Sequence, residues 1–120
     1  MIQKFTDLDV WQKSHELVLS VYACTKSFPK EEMFGLVSQM RRAAVSITSN
    51  IVEGFSRPSY KEKAQFYYIA HCSLTELENQ LLIAKDVGYI QKEHFDSMNQ
   101  QLQIVHRLLN AFIKKTKSYV

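Results

Sequence analysis

Apolar residues recur along this chain at alternating steps of three and four, the period of an amphipathic helix. Met33, Val37, Met40, Ala44, Ile47 and Ile51 fall on one line when each residue advances the helix by ~100°. The spacing predicts a helix over 32–54. Opposite that line stand Arg42, Ser46, Ser49 and Glu53, with Gln39 and Asn50 at the flank. A solvated face usually carries long Lys and Glu side chains, and Ser and Asn are weak helix formers. Short polar side chains let another helix approach closely and hydrogen-bond. The bland reading is an ordinary exposed face. The sharper one is a helix covered on both sides, by its own bundle and by a second subunit, and that is the expectation.

The same period predicts three more helices. After a lead-in over 1–6, a helix over 7–27 has the core line Val10, Leu17, Val21, Cys24 and Phe28, widened by Leu8, Trp11, Val18 and Tyr22. Thr6 with Asp9, or Asp7 alone, is its expected cap. Pro29 ends it, and Gly35 is read as lying early inside the second helix. Glu31 and Glu32 suit that helix's first turn. The second helix is read as stopping near Gly54. After the linker Phe55–Pro58, Ser59 and Glu62 make a capping box for a helix over 60–87. Its core line is Phe66, Ala70, Leu74, Leu77, Leu81 and Ala84, with Tyr68, Cys72 and Ile83 on the outer side. Gly88 is its natural C-terminal cap. Phe95, Met98, Leu102, Val105, Leu109 and Phe112 define a fourth helix over 92–117, and the basic stretch 114–120 is expected to fray. Short loops force antiparallel neighbours, so the expected fold is all-α: one domain over 1–120, an up-down-up-down four-helix bundle.

Composition agrees with a globular protein: 120 residues, 46% hydrophobic and 22% charged, with three Gly and two Pro. The formal charge of +3 permits an anionic partner without demanding one. Cys24 and Cys72 have no metal or redox spacing and read as reduced, buried thiols of a cytoplasmic protein. The start of the sequence, MIQKFTDLD, is too charged for a signal peptide, and no run approaches the ~18 apolar residues of a membrane span.

Helical bundles hold metals through Glu-x-x-His pairs. The residues three places before His15, His71, His94 and His106 are Gln12, Tyr68, Gln91 and Gln103, so that motif is missing. No phosphate-cradling Gly loop or nucleophile elbow is present. Both cysteines sit in apolar patterns that favour packing over nucleophilic chemistry. The sequence therefore points to no enzyme, no cofactor and no metal.

Basic clusters remain. Arg57, Lys61 and Lys63 lie near Tyr60, Tyr67 and Tyr68; Lys114, Lys115 and Lys117 lie near Tyr119; Arg41 and Arg42 form a smaller group. Such cations bind phosphates, and tyrosines stack on unpaired bases. These eight cations are the nucleic-acid-binding candidates. The plain alternative is a solvated face neutralised by Glu62, Glu76 and Glu78. Ser46, Ser49, Asn50, Tyr68, Cys72 and Ile83 are the candidates for an oligomer interface. An ion pair of Arg41 or Arg42 with Glu76 is expected to hold helix register, so that charge reversal at Glu76 would disturb assembly or folding.

With Ser38-Gln39, Arg41-Arg42-Ala43, Ser46, Asn50-Ile51, Glu53-Gly54 and Gly88-Tyr89 in order, the chain resembles a known family. Leu8–Gln12 and Phe28-Pro29 extend the likeness to nearly its whole length. The family comprises bacterial four-helix bundle proteins named for the 23S ribosomal RNA intervening sequence, and is similar to the accessory variability determinant of diversity-generating retroelements. Departures are Thr48 where Pro is common and His71-Cys72 where Arg-Gly is common. The resemblance implies a bundle that assembles as a ring, five subunits among relatives. The retroelement relative binds nucleic acid and a reverse transcriptase through a basic surface. The family name records where some of its genes reside, inside ribosomal RNA operons, and not a ribosomal duty. The leading expectation is a non-enzymatic homo-oligomer, a pentamer by resemblance, that binds RNA or other nucleic acid weakly through Lys and Arg. The competing one is a structural adaptor whose ring docks a protein partner. Neither involves a membrane.

Overall fold

The computed structural model describes residues 2–120; residue 1 of the lead-in lies outside them. Four helices follow one another: α1 Asp9–Thr25, α2 Leu36–Ser56, α3 Tyr60–Asp86 and α4 Lys92–Lys117. Single 3₁₀ turns at Phe5–Asp7 and Lys30–Glu32 precede α1 and α2. Helix α1 packs on α2 and α4, and α3 packs on the same two, so the four surround one core. The molecule measures 45 × 25 × 21 Å. Its long axis is about the ~40 Å length of α3 at 1.5 Å per residue. The all-α antiparallel bundle expected from the period of the sequence is the fold formed.

The apolar lines close on one another as spaced. Leu17, Val21, Met40, Ile47, Ile51, Leu74, Leu77, Leu81, Leu102 and Leu109 are fully buried. In α3 the core residue is Tyr67, only 2% exposed, whereas Phe66 is half-buried under the Arg57 guanidinium at 4.6 Å. Tyr67, Ala70, Leu74, Leu77, Leu81 and Ala84 step three, four, three, four, three, a cleaner stripe than one begun at Phe66. The buried hydroxyls of Ser14, Thr25 and Thr116 each donate to the carbonyl four residues back, at 2.6, 2.8 and 2.8 Å.

Several boundaries differ from the sequence expectation. The residue capping α1 is Leu8, with no side-chain bond. Asp7 instead accepts from the N–H groups of Gln3 and Lys4 and holds the preceding turn. Helix α2 begins at Leu36, not 32, because Gly35 is the residue flanking its start and leaves helical geometry (φ −112°, ψ −113°). Met33 therefore falls before the helix and is 50% exposed rather than in the core. Glu32 ties this start down: it accepts from Leu36 N–H at 3.2 Å and from the Tyr89 hydroxyl at 2.8 Å. Gly54 lies inside α2, which continues to Ser56.

The α2–α3 and α3–α4 connections follow local rules. Ser59 Oγ accepts from Glu62 N–H and donates to the Glu62 carboxylate. Gly88, at φ +88°, ends α3 in a Schellman turn: Tyr89 N–H reaches Ala84 O at 2.8 Å and Gly88 N–H reaches Lys85 O at 3.0 Å. The basic tail does not fray. It remains helical through Lys117, Thr116 is buried, and the Tyr119 ring packs on Tyr60 at 5.0 Å. No helix among the described residues is long and apolar enough to cross a membrane.

Candidate nucleic-acid interface

Antiparallel packing brings the start of α3 beside the end of α4, and with them two clusters more than fifty residues apart in sequence. Lys61 and Lys117 line one groove of about 500 Å³ with Tyr68, Gln65 and Val120. Lys63, Lys115, Tyr60 and Tyr119 line a second. Lys114, Lys115 and Lys117 stand in the last turn of α4, where positive charge complements the helix dipole. Lys4 and Arg57 belong to the same end. Its carboxylates are fewer, and three are engaged: Asp7 with the N–H groups of Gln3 and Lys4, Glu53 with Arg57 at 3.5 Å and Glu62 with Ser59. At the opposite end, Glu31, Glu32, Asp86, Glu93 and Asp96 meet Lys26, Lys30, Lys85 and Lys92. The bundle is therefore electrically lopsided along its axis.

Not every cation of the candidate set is free. Lys63 Nζ donates to Phe55 O at 2.6 Å and Gly54 O at 3.4 Å, capping the C-terminus of α2. Arg57 is held between Glu53 and Phe66. Arg41 turns to α1: its Nε donates to Thr25 Oγ1 at 3.0 Å, and the guanidinium covers the Tyr22 ring at 4.7 Å. Arg42 is exposed, in a groove with Gln39, Ser46, Ser73 and Glu76. Neither arginine pairs with Glu76, whose carboxylate instead accepts from Gln80 at 3.2 Å. The expected register-holding pair is not formed, and Arg41 and Arg42 lie apart from the basic end. Tyr67, grouped with the basic residues by sequence proximity, packs on Phe112 at 4.6 Å. Burial pushes its phenol up to about 12.

The interface candidates divide. Ser46 and Ser73 share a 2.8 Å hydrogen bond between α2 and α3, and Asn50 Nδ2 donates to the Ser46 carbonyl and hydroxyl at 2.8 and 3.1 Å. Part of the short polar face of α2 thus serves close packing within the chain, so Ser46 and Asn50 are engaged inside the bundle and not at an outer interface. Ser49, Tyr68, Cys72 and Ile83 are exposed, so of the two cysteines expected to be buried only Cys24 is, Cys72 lying on the outer side of α3. Phe34, 96% exposed, and Met33, Tyr22 and Val45 form an apolar rim that sequence reasoning missed. Its signal, a Met-Phe pair ahead of Gly35, was hidden by extending the helix across it. Leu82 and Val87 extend the exposed apolar face of α3. Burial pushes the Cys24 thiol up, away from the nucleophilic thiolate. No group of three or more His, Cys, Asp or Glu among the described residues could share a metal ion.

Residues 6–111 match the model of a family described as 23S rRNA-intervening sequence protein. A search of the curated proteins finds no match. Among solved structures, the chain is similar to a protein of unknown function from the S23 ribosomal protein family of Bacteroides thetaiotaomicron. The two are 27% identical with a TM-score of 0.81 over 88% of this chain and 95% of that one.

Proposed function

Because the chain belongs to the 23S rRNA-intervening sequence protein family, we propose that it is a non-enzymatic, self-associating helical bundle whose basic end binds RNA weakly. The observation that carries the proposal is the placing of Lys61 and Lys117 with Tyr68 in one groove of the basic end, and of Lys115 with Tyr60 and Tyr119 in a second. Ammonium groups supply phosphate contacts that any sequence satisfies, and exposed tyrosine faces supply stacking for unpaired bases. Single-stranded RNA is the anion to test first because it offers unpaired bases to the tyrosines as well as phosphates to the lysines. Arg41 and Lys63 are committed within the chain and contribute little; Arg42 lies elsewhere.

Fluorescence anisotropy with single-stranded RNA across a salt series tests this. Three phosphate contacts give a log–log slope of about −2, at ~0.7 per contact. The pair Lys61→Glu and Lys117→Glu should abolish binding, whereas Lys30→Glu with Lys92→Glu at the far end should not. Absence of binding at low salt, or equal effects of the two pairs, would refute the proposal. The second reading, an adaptor that docks a protein, is favoured by the exposed apolar rim of Phe34, Met33, Tyr22 and Val45. Apolar side chains gathered in this way can seat a partner surface.

A further inference from the structure

His71 on α3 and His106 on α4 meet across the outer seam of those helices. Their Nε2 atoms are 3.2 Å apart, the ring centroids 5.1 Å, and the planes incline at 38°. The register is set by neighbours along the same seam. Gln103 Nε2 donates to Glu78 at 3.1 Å, and Lys85 covers the Phe95 ring at 4.6 Å. The Asn110 amide nitrogen is 3.4 Å from His106 Nε2, and Tyr68 stacks on His71. Two equivalent nitrogens that face each other share something between them, either a proton or a metal ion.

The distances allow the choice to be framed. Two imidazole nitrogens bound to one ion at ~2.0–2.1 Å lie about 2.9 Å apart at a right angle and about 3.3 Å apart at the tetrahedral angle. The observed 3.2 Å falls between. With both rings aimed at the ion their centroids would be about 5 Å apart, against 5.1 Å found. A straight N–H···N bond of the same length would hold them about 5.5 Å apart. Burial, and the neighbouring His106, hold the His71 imidazole below its ordinary pKa. Ligation requires the neutral ring.

We infer that His71 and His106 form a two-imidazole site for a borderline first-row divalent ion such as Zn²⁺, clipping α3 to α4. Imidazole donors suit Zn²⁺, Cu²⁺ and Ni²⁺ rather than Mg²⁺ or Ca²⁺. Asn110, with its amide turned over, brings a carbonyl oxygen to the same point. No third His, Cys, Asp or Glu among the described residues joins the pair. The remaining positions are thus open to water or an outside ligand, unlike a closed structural zinc site.

The test uses the full chain without a histidine tag, titrated with Zn²⁺ at about pH 7.5. The expected result is one ion per chain, with imidazole ¹⁵N shifts confined to His71 and His106. Loss of outer-shell partners alone costs 10–100-fold in metal affinity, so His71→Gln or His106→Gln should weaken binding by at least about tenfold. His94→Gln should leave it unchanged. Circular dichroism without metal establishes that each variant is folded. The inference is overturned by no saturable binding below about 1 mM, by unaltered affinity in both glutamine variants, or by shifts that fall on His15 or His94 instead.

Discussion

Gly54 lies in the last two turns of α2 with no room for a methyl group. A Cβ there would sit 2.5 and 2.8 Å from Tyr67 ring atoms and 3.1 Å from Lys63 O. Tyr67 cannot swing aside freely because it packs on Phe112. Gly54→Ala should therefore destabilise the protein by about 1–3 kcal/mol, although alanine is the better helix former; urea denaturation measures it. Tyr67 also sets an alkaline limit. Its folded pKa of about 12 exceeds the ordinary 10. The neutral form is favoured on folding, so that contribution is complete below pH 10 and is lost as pH rises from about 10 to 12. Melting followed across that range should fall, and Tyr67→Phe should flatten the fall. A fall of equal size in the variant would show that other groups govern it.

At the scale of the helix, Lys63 closes the C-terminus of α2 from the first turns of α3. Its ammonium satisfies carbonyls that the helix end leaves orphaned. Lys63→Met should cost about 1–2 kcal/mol of stability, while Lys61→Met should cost almost none, since Lys61 is exposed. Equal melting of the two variants would assign Lys63 back to the solvated face. The α2–α3 seam rests on Ser46, Asn50 and Ser73. Replacing Ser46 and Ser73 by Ala singly and together should give a coupling energy of about 0.5–1.5 kcal/mol in a double-mutant cycle. Simple additivity would mean that the hydroxyls bond independently to their own helices.

At the scale of the whole molecule, part of the exposed apolar surface lies away from the basic end, where Tyr60, Tyr68, Tyr119 and Val120 are also exposed. The cations gather at the end where α3 begins and α4 finishes. The other uncovered apolar residues lie on the approach to α2 and on the outer face of α3. This separation permits self-association through those faces while the end stays open to an anion. Light scattering should find a mass several times the 14.0 kDa chain, and five times for the ring that the family resemblance implies. Phe34→Glu or Ile83→Glu should lower that mass while leaving helicity intact, because both side chains project into solvent from a single chain. A monomer in the unaltered protein would end the self-association proposal.

Which stretches become helices, and that they bundle, could be read from residue order alone. Apolar period, the Ser59–Glu62 cap and the Gly88 turn are properties of segments a few residues long, and local sterics and hydrogen bonding decide them. Partner choice could not be read in this way. That Ser46 faces Ser73, that Arg41 turns to Tyr22 instead of Glu76, that Lys63 is occupied, and that Lys61 meets Lys117 all depend on helix rotation and register. Those are set only when four apolar stripes close on one core. The same closure brings His71 to His106 across thirty-five residues of chain, a proximity no spacing rule contains.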